Sequence, residues 1–281
     1  MKNFFSYKIY TQPFDPDMIS GVMWDFDING LLEDDDHITI FISENSTTKE
    51  EHIFSALKKM QDDNLIESFR IEKEILEDKN WNELWEKSRE VIRVSDRIII
   101  KPTFKNYSPK ENEIVLTIDP KMSFGTGEHQ TTKLILKLLE KYVKRGMKVL
   151  DFGSGTGILA IASVKLGALR AVAVDFDEIC LDNCKENCSL NGVENSVKIL
   201  TGEIDVVDET DFNLILANIQ KNVLLEIVEK IKLKLNKHGV VILSGLLESD
   251  KSAIEKKYHS LGFSTELIET MDEWIAIVLK L

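Results

Sequence analysis

From about Thr131 onward, the sequence alternates regularly between amphipathic helical segments and short apolar strands. The helical segments are Leu134–Tyr142, Ile158–Leu166, Asp177–Leu190 and Val223–Leu235, and the strands are Met147–Asp151, Arg170–Asp175, Val197–Leu200, Asn213–Asn218 and Val240–Ser244. Strands joined by helices run parallel and are covered by those helices on both faces. This pattern predicts an α/β fold built on a mainly parallel sheet.

The chain ends on a different pattern. Phe263–Glu269 and Trp274–Leu281 both have strand character, and only Thr270–Glu273 lies between them. A connection this short joins antiparallel strands, because a parallel crossover needs a dozen or more residues. We therefore expect the last strand to be antiparallel to its neighbour.

The first 75 residues predict a small separate domain with the element order β-α-β-β-α-β, which is the ferredoxin-like arrangement. Its predicted elements are Phe4–Tyr10, Met18–Trp24, Asp25–Leu32, His37–Ile42, a helix carrying Ile53, Phe54, Leu57 and Met60, and Leu65–Glu72. Residues 76–118 are interpreted as a linker with connecting strands at Val91–Ile100 and Asn112–Ile118. Within the linker, Trp81, Leu84 and Trp85 have the spacing of a packed helical face. Residues 119–281 form the second predicted domain.

Charge is distributed unevenly along the 281 residues, whose formal net charge is −13. Residues 1–90 contain 10 Lys and Arg against 21 Asp and Glu, a net charge of −11, whereas residues 91–281 have a net charge of only −2. An acidic front half disfavours a large nucleic-acid footprint and suits a basic protein partner, although ordinary solubility explains it equally well. No apolar run reaches the roughly 18 residues of a membrane span, and no signal peptide is evident. A cytoplasmic protein without membrane association is expected.

Three cysteines, Cys180, Cys184 and Cys188, recur every four residues. On a helix they form one stripe that is about 12 Å long, so a single metal ion could not contact all three. We interpret them as small packing residues, and we expect no metal site.

A glycine-rich turn follows the strand that ends at Asp151. The run Gly153-Ser154-Gly155-Thr156-Gly157 leads directly into a helix. Glycines let the backbone approach a ligand closely, and the helix N-terminus offers free N–H groups. A plain structural turn would have the same sequence, so Gly153 and Gly155 are only candidate ligand contacts at this point.

Asp175 strengthens the case for a nucleoside ligand. It ends the next strand, 22 positions after Gly153, where its carboxylate can accept hydrogen bonds from two ribose hydroxyls. The G-x-G-x-G spacing, the acidic Asp151 before the turn and the terminal hairpin all favour S-adenosylmethionine over a nicotinamide dinucleotide. Asn218 ends a further strand, where it could hold the cofactor, accept a hydrogen bond from a substrate amine, or only form a turn.

Several segments resemble the signature of the bacterial methyltransferase family that acts on ribosomal protein L11 (the PrmA family). These are Asp119–Thr132, with Phe124-Gly125-Thr126-Gly127 followed by His129, and also Asp151–Leu159, Leu216–Ile219 and Leu243–Gly245. The resemblance is strong over roughly residues 80–281. Over the first 75 residues it rests mainly on length and element order.

The resemblance implies a seven-stranded, Rossmann-like methyltransferase sheet, with an N-terminal domain that recognises the substrate. It implies transfer of methyl groups from S-adenosylmethionine to lysine ε-amines and the N-terminal α-amine of ribosomal protein L11. By position, the residues that match the family's cofactor contacts are Thr132, Gly153, Asp175 and Asn218, and those that match the loop over the cofactor are Phe124, Gly125 and Thr126. A monomer is expected.

The catalytic candidates are Asn218, which would orient the amine, and His129. The histidine could serve as a base, cap the helix that begins near Thr131, or pack structurally. Enzymes that methylate planar amines commonly carry Asn-Pro-Pro-aromatic where this chain has Asn218-Ile219-Gln220-Lys221, so an aliphatic amine is favoured. The alternative function is methylation of lysines in another basic protein. An RNA methyltransferase, a nucleotide-dependent oxidoreductase and a non-catalytic binding module are weaker readings.

Overall fold

The computed structural model describes residues 4–76, 90–119 and 125–281. By its internal contacts the chain separates into two compact units, Met1–Ser88 and Arg89–Leu281. Among the described residues, no helix combines the length and the apolar character that crossing a membrane requires. The predicted helical face of Trp81, Leu84 and Trp85 lies outside the described residues.

The first unit has the predicted β-α-β-β-α-β order. Its elements are β1 (Phe4–Gln12), α1 (Pro16–Met23), β2 (Gly30–Glu33), β3 (Ile38–Ser43), α2 (Glu50–Asp62) and β4 (Ser68–Leu76). The strands form an antiparallel sheet in the order β2-β3-β1-β4. Alternate strand residues such as Ile9, Ile38 and Ile40 pack against Ile19, Ile53 and Leu57 of the two helices. The ferredoxin-like prediction is confirmed.

The strand predicted over Asp25–Leu32 is shorter than expected, because only Gly30–Glu33 pairs. Asp27 belongs instead to a loop: its Oδ2 accepts hydrogen bonds from the Thr47 amide at 3.0 Å and from the Ser46 hydroxyl at 2.9 Å. These bonds lower the pKa of Asp27. The hydrogen bonds of Asp27 therefore stabilise a loop where a strand was predicted.

The second unit begins with a three-stranded sheet of β5 (Ile92–Arg93), β6 (Ile98–Lys101) and β7 (Ile114–Thr117), in that order. The single strand predicted over Val91–Ile100 is wrong, since this segment folds back as the antiparallel pair β5–β6. The cause is Ser95, whose Oγ accepts hydrogen bonds from the Arg97 and Ile98 amides at 3.1 and 3.0 Å. A local side-chain acceptor of this kind favours a turn over a continuous strand.

The rest of the second unit forms the predicted alternation. Its helices are α3 (Gln130–Tyr142), α4 (Ile158–Lys165), α5 (Glu178–Leu190), α6 (Lys221–Glu226), α7 (Val228–Lys234) and α8 (Lys251–Ser260). Its strands are β8 (Lys148–Phe152), β9 (Arg170–Asp175), β10 (Val197–Thr201), β11 (Phe212–Asn218), β12 (Leu235–Leu247), β13 (Ser264–Met271) and β14 (Trp274–Lys280).

These seven strands form one sheet in the order β10-β9-β8-β11-β12-β14-β13. The first five are parallel, and β14 inserts antiparallel between β12 and β13. Alternate residues face opposite cores: Val149 and Leu216 pack with α3, α4 and α5, while Leu150 and Leu243 pack with α6, α7 and α8. The predicted α/β sheet with helices on both faces and an antiparallel last strand is confirmed.

Two helical details differ from the sequence prediction. The helix predicted over Val223–Leu235 is interrupted at Ile227, where α6 ends and α7 begins. Helix α8 was not predicted, because only Ile254 and Tyr258 of its ten residues are buried and the apolar periodicity is weak.

Candidate functional site

The candidate site residues lie where three neighbouring strands, β9, β8 and β11, reach their carboxyl ends at Asp175, Phe152 and Asn218. Ligands bind at this edge in open α/β sheets, at the point where the connections diverge. Parallel pairing of β9, β8 and β11 brings these three strand ends, which are far apart in the sequence, to the same edge.

The glycine turn needs glycine for two measurable reasons. Gly153 and Gly157 have φ angles of +74° and +80°, a region that other residues rarely adopt. A Cβ on Gly153 would lie 2.3 Å from Ile219 Cγ2, and a Cβ on Gly157 would lie 2.4 Å from Cys184 Sγ. The turn is therefore pressed between the loop after β11 and helix α5.

Asp175 is coupled directly to this turn. Its Oδ2 accepts a hydrogen bond from the Gly155 amide at 2.8 Å, and its Oδ1 accepts one from the Asp177 amide at 3.1 Å. Each carboxylate oxygen can accept a further hydrogen bond. The two backbone donors thus hold a charged acceptor in a defined orientation at the sheet edge.

Phe176 follows Asp175 and was not singled out by the sequence analysis. Its side chain is 81% exposed, the highest exposure among the large apolar residues that the structure describes. An aromatic ring this exposed, next to a site residue, is available for contact with a ligand. Its position immediately after the acidic strand end is the signal that could have identified it.

Asp151 is fully buried at the end of β8. Its Oδ2 accepts a hydrogen bond from the Ala160 amide, in the first turn of α4, at 3.0 Å. Its Oδ1 has no hydrogen-bond partner among the described residues. Burial, assisted by the nearby charge of Asp175, raises the pKa of Asp151 to about 7, and the bond from Ala160 opposes this shift. Asp151 therefore anchors the start of α4.

Asn218 and Thr132 come together although they are 86 positions apart. The Nδ2 of Asn218 donates to the Oγ1 of Thr132 at 3.4 Å, and the Thr132 side chain is 1% exposed. The Oδ1 of Asn218 is buried and has no hydrogen-bond partner among the described residues. The site thus contains an amide oxygen that can accept a hydrogen bond from a ligand.

His129 is the N-cap residue of α3. Its Nδ1 accepts a hydrogen bond from the Thr131 amide at 3.3 Å and lies 2.8 Å from the Thr131 hydroxyl. Its ring meets the ring of Trp274 edge to face, with 4.7 Å between centroids. Of the three roles considered for this residue, the geometry displays helix capping and ring packing.

The glycine-rich loop before α3 also contacts the turn. The Thr156 hydroxyl donates to the Gly125 carbonyl at 2.6 Å, and the Thr126 Oγ1 accepts from the Glu128 amide at 3.4 Å. Phe124, the remaining predicted loop residue, lies outside the described residues.

The three cysteines are free and buried on α5, and Cys184 and Cys188 belong to the hydrophobic core between that helix and the sheet. Within residues 4–76, 90–119 and 125–281, no group of His, Cys, Asp and Glu could hold a metal ion. Burial of all three side chains, two of them in this core, agrees with the packing interpretation of the cysteine row.

Comparisons with known proteins identify the family. A model of the family described as ribosomal protein L11 methyltransferase (PrmA) matches residues 23–281. The chain is 40% identical over 205 residues to the ribosomal protein L11 methyltransferase of Acetivibrio thermocellus, an alignment that covers 73% of this chain and 65% of that protein. It is 38% identical over 212 residues to the ribosomal protein L11 methyltransferase of Clostridium perfringens, and this alignment covers 75% of this chain and 67% of that protein.

A solved structure agrees with these sequence matches. The crystal structure of ribosomal protein L11 methylase from Lactobacillus delbrueckii subsp. bulgaricus has a TM-score of 0.64 and 31% sequence identity, and covers 68% of this chain and 98% of that chain. The match to the family model extends over most of the chain and includes every site residue described above. The chain belongs to the ribosomal protein L11 methyltransferase (PrmA) family.

Proposed function

We propose that this chain transfers methyl groups from S-adenosylmethionine to lysine ε-amines and the N-terminal α-amine of ribosomal protein L11. The observation that carries the proposal is the meeting of three groups at one sheet edge: the Gly153–Gly157 turn, the carboxylate of Asp175 and the amide of Asn218. Membership of the family supports both the reaction and the substrate.

The residues at the edge fit S-adenosylmethionine. The oriented carboxylate of Asp175 can accept hydrogen bonds from ribose hydroxyls, and the exposed ring of Phe176 offers an apolar face to a purine. The glycine turn permits close approach of the backbone. The Oδ1 of Asn218, which has no partner within the described part of the chain, would gain a donor from the cofactor's amino group or from the acceptor amine. Thr132 would act by orienting the Asn218 amide, and Gly125 and Thr126, in the loop before α3, would also line the cofactor site.

When bound, S-adenosylmethionine supplies a methyl group already activated by its sulfonium, so the chain mainly has to align the acceptor. The acceptor lysine must be neutral, and with a pKa of about 10.4 only roughly one in a thousand is neutral near pH 7.4. Entry into a partly desolvated site favours the neutral form. The Asn218 Oδ1 would then accept an N–H of the amine and direct its lone pair at the methyl group.

His129 has a constrained part in this scheme. Because its Nδ1 accepts from the Thr131 amide, the ring proton of the neutral histidine resides on Nε2, which then donates and does not accept. An Nε2 that already carries the ring proton cannot accept another from the amine. A catalytic role for His129 stays a prediction, and the proposed transfer needs no dedicated base. Loss of activity in a His129→Gln variant whose cofactor affinity is unchanged would support the catalytic role of His129.

The acidic N-terminal unit is proposed to recognise the basic ribosomal protein, since residues 1–90 have a net charge of −11. Methylation of lysines in another basic protein is the alternative outcome. The two substrates are distinguished by an assay with purified ribosomal protein L11 set beside other basic ribosomal proteins.

The test is methylation of purified ribosomal protein L11 with S-adenosylmethionine, followed by intact-mass spectrometry. We expect mass gains in steps of one methylene, and loss of these gains in Asp175→Asn through cofactor binding that is roughly 10- to 100-fold weaker. Asp182→Asn is the matched control, because it removes an exposed carboxylate whose partner is Lys185, also on α5. Binding of S-adenosylmethionine without any transfer to L11 would overturn the substrate assignment and leave the cofactor site standing.

A further inference from the structure

Helix α5 carries a row of asparagines that the catalytic scheme does not use. Asn183, Asn187 and Asn191 recur every four residues, with Asn191 one position past the end of the helix. Asn183 and Asn187 are 2% and 0% exposed. Burying an amide is costly unless its donors and acceptor are paired, so a buried asparagine marks a specific set of contacts.

The amide of Asn187 joins two segments of the candidate site. Its Oδ1 accepts a hydrogen bond from the Asp119 amide at 3.0 Å, and its Nδ2 donates to the Thr156 carbonyl at 3.0 Å. Longer contacts reach Asn183 Oδ1 at 3.3 Å and the Asp119 carbonyl at 3.5 Å. The backbone donor on one side and the carbonyl on the other determine which way the amide points. Asn187 thus connects the end of β7 to the glycine turn.

Asn191 makes a similar connection to β7 without reaching the turn. Its Oδ1 accepts from the Thr117 amide at 3.0 Å, and its Nδ2 donates to the Thr117 carbonyl at 2.7 Å and the Asn187 carbonyl at 2.8 Å. Asn191 therefore contacts the last residue of β7 and Asn187 contacts the backbone two residues later, and of the two only Asn187 also contacts the turn.

Thr156 is linked to two positions of the signature segment Asp119–Thr132, one directly and one through Asn187. Its carbonyl is bound by Asn187, which also holds Asp119, and its hydroxyl donates to the Gly125 carbonyl at 2.6 Å. Asp119 is held in turn by Thr103, whose amide and hydroxyl donate to its carboxylate at 2.8 and 2.7 Å. Asp119 and Gly125 are thereby tied to one residue of the turn, next to the Gly155 amide that orients Asp175.

We propose that Asn187 is a positioning residue for the cofactor site: its amide sets the placement of Thr156 and Asp119, and through Thr156 that of the Gly155–Asp175 contact. The inference rests on the proposed function, because the ligand whose binding it supports is S-adenosylmethionine. Asn187 does not contact the ligand, and its effect passes through the turn.

The experiment measures the affinity for S-adenosylmethionine by calorimetry, together with kcat and KM in the methylation assay. Asn187→Ala is expected to weaken cofactor binding by about five- to tenfold, the usual effect of one or two lost hydrogen bonds, with a smaller change in kcat. Asn191→Ala is the matched control: it loses hydrogen bonds from the same row to the same segment, residues 117–119, so it should lower the thermal midpoint and leave the cofactor affinity unchanged.

Asn187→Asp keeps the acceptor for the Asp119 amide and loses the donor to the Thr156 carbonyl. Protonation of the new carboxyl restores one donor, so the affinity of this variant should recover as the pH is lowered, relative to the wild type at each pH. A packing role alone would not produce that pH profile. Hydrogen–deuterium exchange without cofactor should show faster exchange at both 115–119 and 153–158 in Asn187→Ala, and only at 115–119 in Asn191→Ala.

The possible results distinguish a failure of the proposed function from a failure of the positioning role of Asn187. Wild-type protein that does not bind S-adenosylmethionine overturns the proposed function. Wild-type binding with an unchanged affinity in Asn187→Ala, or equal weakening in Asn191→Ala among folded molecules, overturns the positioning role. Should Asn187→Ala not fold, the pH profile of Asn187→Asp decides, and a profile parallel to that of the wild type contradicts the proposal.

Discussion

The Nδ2 of Asn218 donates to the Oγ1 of Thr132 at 3.4 Å, and this contact leaves the Oδ1 of the same amide buried without a partner among the described residues. The contact orients the amide, because one end of it is already engaged. A buried acceptor held in this way can discriminate between ligands that donate and ligands that do not. Asn218 is therefore the residue at which we expect substitutions to affect the reaction most directly.

We predict that Asn218→Ala lowers kcat by about 100-fold, since misplacement of the acceptor amine has an effect of this order. Asn213→Ala is the control on the same strand: Asn213 lies near the start of β11, where its Oδ1 accepts from the Lys148 amide at 2.8 Å. This control should lose stability and keep its kcat. Steady-state kinetics with ribosomal protein L11 measures both, and equal kcat values in the two variants would contradict the assignment.

Phe176→Ala should weaken binding of S-adenosylmethionine by about fivefold without lowering the thermal midpoint, because the ring is 81% exposed in the free protein and stabilises little there. Leu169→Ala is matched to it, since Leu169 is 64% exposed and lies just before the opposite end of β9. Calorimetry should show no change for Leu169→Ala. An unchanged affinity in Phe176→Ala would show that this face does not contact the cofactor.

Asp151 predicts a pH dependence of stability. Burial raises its pKa to about 7 from an ordinary value of 3.8, so between these two values the folded protein binds a proton that the unfolded chain has released. Stability that depends on this group is therefore greatest at low pH and decreases as the pH rises towards 7. Relative to Asp151→Asn, the wild type should lose up to about 1.4 kcal/mol per pH unit between pH 5.5 and 7.

Above pH 7 the difference between wild type and Asp151→Asn should level off, because Asp151 is then ionised in both states. Urea unfolding at half-unit intervals of pH measures this, and the variant serves as the control for all other carboxylates. Parallel stability curves for the two proteins would mean that Asp151 is already ionised well below neutral pH.

The cysteine row should be unreactive in the folded protein. The hydrogen bond with Cys188 and then burial raise the pKa of the Cys184 thiol, so the reactive thiolate is scarce. A thiol reagent should label the wild type only as fast as it unfolds, whereas Ser189→Cys, at an exposed position on the same helix, should gain one rapidly labelled thiol. Rapid labelling of the folded wild type would contradict the packing role.

Most of the fold was predicted from the spacing of apolar residues along the sequence. The apolar period of two or 3.6 residues identified the parallel strands and most helices, because side-chain direction is a local property of the backbone. The same reasoning was wrong where a single polar side chain decided the outcome, as at Ser95, and it missed α8, which buries only two apolar residues.

The candidate site was predictable only in part. The glycines of the turn, Asp175 and Asn218 are recognisable because each stands at a strand end or at a turn that requires a positive φ. Asn187 was not recognised, because its importance depends on Asp119 and Thr156, which are 68 and 31 positions away. Phe176 was not recognised either: its position after the acidic strand end could have marked it, but the exposure of its ring is a property of the folded chain.

The sequence by itself determined the alternation of elements, the turn after β8 and the family signature, since these depend on neighbouring residues. The tertiary structure alone decided that Asp151 is buried, that His129 caps α3, and that Thr156 is linked to Gly125 directly and to Asp119 through Asn187. The physical reason is that burial and hydrogen-bond partners are properties of packed segments, and packing brings together residues whose separation along the chain carries no information about their contact.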